Sequence, residues 1–272
     1  MKIKFIGVGS AFTTADYYQS NMLITATSGK RLLLDCGSDI RFTLAEHDIY
    51  AENIGEKIDA VYISHLHADH IGGMEWLAFN TYFAEKPRKL PLFMEAKTME
   101  KMWENALKGG LECMEGQLAQ LSDYFDCHPL GESDTFNWEG IEFTLVKFPH
   151  IITGSLNHYS YGLWLKDGLT LFVTTDTQFQ PDLLAEIGKE ADVIFHDCET
   201  TPSPTTVHAH YEELCTLKDE LKQKMWLYHY QPKPAYDPKD DGFKGFVVKG
   251  QEFDSHQKVK KGGFWRALFA RK

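Results

Sequence analysis

The residues best suited to chemistry stand in one short run, His65-Leu66-His67-Ala68-Asp69-His70. Three imidazoles and a carboxylate so close together have little structural use, because buried polar groups each need hydrogen-bond partners. Apolar residues 60–64 before the run predict a buried strand, and the spacing of apolar residues over 70–84 predicts a helix after it. Side chains two apart on an extended segment point the same way, so His65 and His67 can bind one cation together. Asp69 and His70, where the chain turns into the helix, can face a second cation.

The pattern His-X-His-X-Asp-His after a hydrophobic strand resembles the signature of the metallo-β-lactamase-fold hydrolases, and the resemblance extends over about residues 2–253. It implies an α/β protein, a four-layer αββα metallo-β-lactamase sandwich. It also implies that a histidine, a bridging aspartate and a last histidine complete the site, each just after a strand. The matching positions are His150, with His158 as the alternative, then Asp176 and His229. A helix N-cap for Asp176 and a core position for His229 are the structural alternatives.

Two divalent metal ions are therefore the expected cofactors. The first ion takes His65, His67 and His150, the second takes Asp69, His70 and His229, and Asp176 bridges the two. No thiolate belongs to this set, which suits Zn²⁺ and does not exclude Mn²⁺ or Fe. Two divalent cations less two carboxylates and one hydroxide leave about one positive charge, which attracts a phosphate.

Two further residues resemble a pair found in the phosphodiesterase branch of this fold. That branch includes tRNA 3′-processing endonucleases and cyclic-nucleotide phosphodiesterases such as the anti-Pycsar proteins. There, an acidic residue after a strand orients a histidine that contacts the phosphate, and the matching residues are Asp197 and His208, with His210 as the alternative. A charged imidazole can protonate the alkoxide that leaves. The resemblance implies attack by a hydroxide that bridges the two ions, with Asp69 accepting the proton of the nucleophile.

The net charge of the chain narrows the range of substrates that we predict. The net charge of −11 argues against a broad electrostatic contact with tRNA or duplex DNA. Residues 85–135 hold six basic and ten acidic residues, unlike the basic Gly/Pro-rich arm of the tRNA endonucleases. A small phosphodiester, a 3′,5′-cyclic nucleotide, is the predicted substrate and tRNA is disfavoured. Other nuclease activity, a lactone or thioester hydrolase, and a non-catalytic binding protein are the alternatives. Five aromatic residues at helical spacing are expected either to stack on a base or to form core or dimer contacts: Trp76, Phe79, Tyr82, Phe83 and Trp103.

The order of predicted elements explains how these residues meet. Strands come first and then alternate with helices, twice over, which indicates two facing sheets with helices outside. A chain of this length that is 43% hydrophobic can bury one large core. We expect one hydrolase domain over residues 1–253, with a helical insertion at about 96–122, and a basic tail over 254–272.

The remaining features concern location and partners. Five cysteines, an odd number without a CxxC pair, predict reduced thiols and a cytoplasmic protein. The apolar N-terminal stretch is short and favours a strand over a signal peptide. Residues 258–272 hold six basic residues and no acidic one, which predicts an amphipathic helix. Its expected contact is the protein's own acidic domain or a sister subunit, and a membrane surface or another protein is the alternative. The resemblance also implies a homodimer.

Overall fold

Two mixed β-sheets form the centre of the protein in a computed structural model that describes residues 1–256. The predicted tail at 258–272 lies outside the described residues. The strands follow the chain as β1 (Lys2–Phe5), β2 (Met22–Thr25), β3 (Arg31–Leu34), β4 (Ala60–Tyr62), β5 (Leu90–Glu95), β6 (Cys113–Met114), β7 (Gln117–Leu118), β8 (Phe125–Leu130), β9 (Thr135–Trp138), β10 (Ile141–Ile152), β11 (Asn157–Asp167), β12 (Leu169–Val173), β13 (Val193–Asp197), β14 (Met225–Tyr228), β15 (Gly245–Phe246) and β16 (Glu252–Asp254).

Each large sheet has seven strands and is antiparallel on one side and parallel on the other. The first sheet has the order β16-β1-β2-β3-β4-β5-β8, and its strands are parallel from β3 to β8. The second sheet has the order β15-β14-β13-β12-β11-β10-β9, and its strands are parallel from β15 to β12. Parallel strands point the same way, so the residues that follow them gather at one edge of the sandwich.

Helices cover the outer faces of both sheets. They are α1 (Ile40–Ala45), α2 (Ile54–Lys57), α3 (Ala68–Ile71), α4 (Met74–Tyr82), α5 (Ala96–Met102), α6 (Lys108–Leu111), α7 (Leu121–Tyr124), α8 (Pro181–Glu190), α9 (Tyr211–Cys215) and α10 (Asp219–Lys222). The first seven pack on the first sheet and the last three on the second. A third core lies between the sheets. The predicted four-layer αββα sandwich is confirmed.

Strand β3 shows why so apolar a sequence forms a strand here. Leu32 and Leu34 point into the core between the sheets, whereas Leu33 points into the core beneath the helices. All three side chains are buried. A strand with both faces covered has no solvent side, so its sequence reads as a continuous apolar run instead of alternating.

Several elements predicted from the sequence differ in detail from those in the structure. The insertion at about 96–122 is mainly helical, but a π-helical turn at Trp103–Leu107 and the hairpin β6–β7 interrupt it. The helix predicted over 208–222 forms as two short helices, α9 and α10. The first sheet reaches beyond residue 253, because Asp254 pairs with Lys2 and the amide of Ser255 donates to the carbonyl of Met1.

Of the roles expected for the five aromatic residues, the structure supports core contact for most of them. Four of them pack against the core on the outer face of the first sheet: Trp76, Phe79, Tyr82 and Trp103. The fifth, Phe83, is 65% exposed at the end of α4 and contacts Phe79 and Tyr82. The five cysteines form no disulfide. No helix within residues 1–256 combines the length and apolar character needed to cross a membrane.

Candidate metal centre

Most of the predicted ligands lie where strands of the two sheets end. His65 follows β4, and α3 begins one residue after His67. Asp176 follows β12 and His229 follows β14. His229 has a φ of 65°, and its amide donates to the carbonyl of Val8 at 2.7 Å. A left-handed conformation is costly for a residue with a side chain, so the surrounding structure must hold it.

His150 reaches the centre through a β-bulge. The sequence predicted it directly after a strand that ends near Phe148, but β10 continues to Ile152. The register with β11 shifts between Pro149, opposite Tyr159, and Ile151, opposite His158. A bulge re-aims a side chain within a strand, and here it directs His150 toward the histidines that follow β4.

The first cluster contains His65, His67, His150 and Asp176. The Nε2 atoms of His65 and His150 lie 3.2 Å and 3.0 Å from Nδ1 of His67. Oδ2 of Asp176 lies 3.6 Å from Nε2 of His65 and 3.7 Å from Nε2 of His150. One potential ligand atom of each residue thus lies within 4.8 Å of the others, as around a single small cation.

The second cluster contains Asp69, His70, His229 and again Asp176. Nε2 of His70 lies 3.4 Å from Oδ2 of Asp69 and 3.3 Å from Oδ1 of Asp176. Nε2 of His229 lies 3.8 Å from Oδ2 of Asp69 and 3.3 Å from Oδ2 of Asp176. Asp176 belongs to both clusters, the position expected of a bridging carboxylate. All seven predicted residues are therefore together.

Unpartnered buried atoms test whether these residues fit a metal. Nε2 of His70, Nε2 of His229 and Oδ1 of Asp176 make no hydrogen bond of suitable geometry with any described residue. Buried polar atoms without partners are costly and rare. These three point toward one another, so a cation between them would satisfy all three. The histidine and aspartate clusters fit a divalent metal site.

Protonation supports the same conclusion. Burial lowers the pKa of His65 and His67, and it lowers that of His150 to about 4, so these imidazoles are neutral at pH 7. Neutral imidazole is the form that binds a metal. Burial opposes a charge on His70, yet nearby carboxylates, Asp176 foremost, raise its pKa well above the usual value. The carboxylates thus favour a positive charge here, which a divalent cation can supply.

The outward-facing nitrogens of the clustered histidines are held by hydrogen bonds. Nδ1 of His70 lies 2.7 Å from Oδ2 of Asp35, which also accepts from the Ser64 hydroxyl at 2.8 Å. Nδ1 of His229 lies 3.0 Å from the hydroxyl of Ser20. Such partners fix the ring orientation and raise ligand basicity. No sequence motif indicated these partners, although Asp35, like several predicted ligands, follows a strand.

We expect Asp35→Asn to lower metal affinity by about 10- to 100-fold, because the amide orients and polarises His70 less strongly than the carboxylate. Competition with a chromogenic chelator measures the affinity. Asp59→Asn is the matched control, since Asp59 also accepts a backbone N–H but precedes β4 instead of following β3. Equal affinity in the two variants would contradict this role of Asp35.

His208 and Asp197 form a pair beside the two clusters. Nδ1 of His208 lies 2.8 Å from Oδ2 of Asp197, which also accepts from the amide of Thr177 at 2.9 Å. Burial opposes the charged form of His208, but Asp197 outweighs burial and raises the pKa of His208 to about 10. The rings of His208 and His150 lie 5.0 Å apart between centroids. The raised pKa favours the charged imidazole. His208 and Asp197 also form, with Asp176 and His229, a third group whose potential ligand atoms lie within 4.8 Å of one another, although neither belongs to the two clusters assigned to the ions.

The two alternative histidines have other positions. His158 belongs to neither cluster, and its ring stacks on His67 with centroids 6.2 Å apart. His210 caps α9, since its Nδ1 accepts from the amide of Glu212 and its amide donates to Glu213. Its Nε2 lies 2.9 Å from the carbonyl of Thr201. With both ring nitrogens engaged, His210 has no free nitrogen for a substrate.

Comparisons with known proteins agree over the whole described fold. A family model described as anti-Pycsar protein Apyc1 matches residues 1–253. The protein of that name from Paenibacillus harenae is 35% identical over 232 residues, 85% of this chain and 90% of its own. Its namesake from Paenibacillus xerothermodurans is 33% identical over 270 residues, 98% of this chain and 99% of its own.

A solved structure supports the fold. The metallo-β-lactamase fold protein YhfI from Bacillus subtilis superposes with a TM-score of 0.70 at 20% identity, over 93% of this chain and 98% of that protein. The resemblance inferred from the sequence motifs is thereby confirmed. This chain is a metal-dependent hydrolase of the metallo-β-lactamase fold and belongs to the anti-Pycsar protein Apyc1 family.

Proposed function

We propose that this chain is a dinuclear metal-dependent phosphodiesterase that hydrolyses 3′,5′-cyclic nucleotides. The observation that carries the reaction type is the pair of Asp197 and His208 beside the two clusters, because a charged imidazole there suits a phosphodiester with a poor leaving group. The substrate class rests on membership of the anti-Pycsar family and its resemblance to cyclic-nucleotide phosphodiesterases.

The ligand assignment follows the two clusters, with Zn²⁺ as the proposed metal. His65, His67 and His150 would hold one ion, Asp69, His70 and His229 would hold the other, and Asp176, which belongs to both clusters, would serve both. When bound, two divalent ions activate a water molecule and neutralise charge on the phosphate.

The chain's own groups move the protons. Asp69 would accept the proton of the attacking water, because its carboxylate lies among the residues that would hold the second ion. Asp197 engages Nδ1 of His208 and leaves Nε2 for the substrate. His208 then donates from Nε2 to the oxygen that leaves, or stabilises the phosphate as a cation. Phosphorus–oxygen cleavage at the cyclic ester opens the ring to a nucleoside monophosphate.

Transfer RNA is a weaker candidate for this site. The net charge of −11 opposes binding of a polyanion, and residues 85–135, which include the insertion, carry more acidic than basic residues. A mononucleotide requires only the local positive charge of the metal centre. The homodimer and the contacts of residues 258–272 stay predictions from the sequence.

A substrate panel tests the proposal. We expect metal-loaded protein to hydrolyse 3′,5′-cyclic mononucleotides and bis-p-nitrophenyl phosphate, and to lose both activities on chelation, because the site depends on the ions. Cyclic dinucleotides, pre-tRNA, a lactone and a thioester complete the panel, with product formation followed by chromatography. Turnover of only the lactone or the thioester would overturn the phosphodiester assignment, and pre-tRNA as the sole natural substrate would overturn the cyclic nucleotide.

A further inference from the structure

A polar cavity of about 200 Å³ lies one strand away from the metal centre. It opens where β5 ends, and β5 is the parallel neighbour of β4, the strand that leads into His65. Its lining includes side chains from β5, β10, β11, the loop before β9 and α5. The charged side chains are Glu95, Glu132, Lys97, Lys101 and Lys147, and the rings are those of His158, Tyr159 and Tyr161.

The cavity wall is joined directly to the ligand-bearing segment. The amide of Tyr161 donates to the carbonyl of Ser64 at 3.2 Å, and Ser64 immediately precedes His65. The ring of His158 lies nearly parallel to that of His67, with 16° between their planes. Leu66, between His65 and His67, also lines the cavity. A molecule held at the ions can therefore extend past His67 and His158 into this space.

The lining offers both donors and acceptors. Nζ of Lys147 lies 2.6 Å from Oε1 of Glu132 and 4.0 Å from the centre of the Tyr159 ring. Tyr161 is 3% exposed. Burial and the carboxylates of Glu95 and Glu132 raise the pKa of its phenol, so it stays protonated at neutral pH. Glu95 is itself fixed, because its side chain accepts from the amides at the start of α5.

These properties exclude several occupants. Two carboxylates, Glu95 and Glu132, and three ammonium groups, Lys97, Lys101 and Lys147, share this small space, so its lining suits a group with both donors and acceptors better than an ion of one sign. An apolar group would desolvate the Lys147–Glu132 pair without offering a hydrogen bond in return. A folded partner is far too large. A neutral, planar group with its own donors and acceptors satisfies the lining, and the rings of His158 and Tyr159 offer it aromatic surface.

We propose that this cavity is the nucleobase subsite, in which His158 and Tyr159 flank the base while Lys147 and Tyr161 hydrogen-bond to its edge. This inference rests on the proposed phosphodiesterase function and adds the residues that would recognise the nucleobase. It also gives the base a binding site. The aromatic residues of α4 do not provide one, since they pack against the core.

Two conservative variants test the subsite, Lys147→Met and Tyr161→Phe. For cyclic AMP and cyclic CMP we expect KM to rise about tenfold, the effect of one lost hydrogen bond to a polar group, with little change in kcat. For bis-p-nitrophenyl phosphate and an abasic 3′,5′-cyclic ribose phosphate, which have no nucleobase, we expect unchanged kinetics. Lys166→Met is the matched control, because Lys166 pairs with Glu142 on the same two strands, outside the cavity.

The outcomes separate this inference from the function on which it rests. Unchanged KM for both nucleotides in both variants would overturn the subsite while leaving phosphodiester hydrolysis intact. An equal loss on substrates with and without a base would also overturn it, because the residues would then act on the metal centre or the fold. If the unmodified protein cleaved no phosphodiester at all, the proposed function would fail and the subsite with it.

Discussion

Asp176→Ala is expected to lower hydrolysis of bis-p-nitrophenyl phosphate by at least about 1,000-fold and to reduce the metal bound per chain. Asp176 lies in both clusters, so its removal weakens both predicted sites at once. Metal ions contribute several kcal/mol of transition-state stabilisation, and each 1.4 kcal/mol corresponds to a tenfold change in rate. Initial rates and elemental analysis of the purified variant measure the two effects.

Asp182→Ala is the control for this variant, because Asp182 is an exposed carboxylate in the first turn of α8. It should retain normal metal content and rate. Thermal unfolding of both variants with metal removed by chelation identifies any general loss of fold. A folded Asp176→Ala protein with two ions per chain and full activity would contradict the assignment of Asp176 as the bridging ligand.

The second large effect is expected at His208. His208→Ala should lower kcat for a 3′,5′-cyclic nucleotide by about 100- to 10,000-fold, the range that a positioned proton donor contributes. Metal content should stay normal, because His208 belongs to neither predicted ligand set. The loss should be much smaller for bis-p-nitrophenyl phosphate, since nitrophenolate leaves without protonation. The ratio of the two losses therefore measures proton donation separately from phosphate binding.

A surface pair provides the control for His208. Nε2 of His128 lies 3.1 Å from Oδ2 of Asp126, far from the clusters in sequence and exposed to solvent. His128→Ala should leave all kinetics unchanged. Asp197→Asn should reproduce part of the His208→Ala loss, because the amide no longer keeps the imidazole charged. Equal losses of His208→Ala on both substrates would contradict proton donation and favour a role in binding alone.

Local spacing made part of the centre predictable from the sequence. His65, His67, Asp69 and His70 share one strand end, so their juxtaposition follows from the chain itself. Asp176 also follows a recognisable buried strand. The bulge that aims His150 depends on the register between β10 and β11, and no local pattern encodes that register.

Other features depend on distant parts of the chain. The Asp35–His70 contact spans 35 residues, and the His229–Ser20 contact spans 209. Neither pair has a sequence pattern, because side chains so far apart meet only after both sheets assemble. The helical spacing of Trp76 and Phe79 likewise allowed either base stacking or core contact, and only the assembled sheet shows that they pack against the core.

The hydrogen bond between Nδ1 of His150 and the carbonyl of Val207, at 2.8 Å, joins the loop of the proposed proton donor to a proposed metal ligand. Val207 is the neighbour of His208, so the orientation of the His150 ring and the position of His208 depend on one shared contact. A substitution that displaces this loop is therefore expected to disturb metal binding and proton donation together.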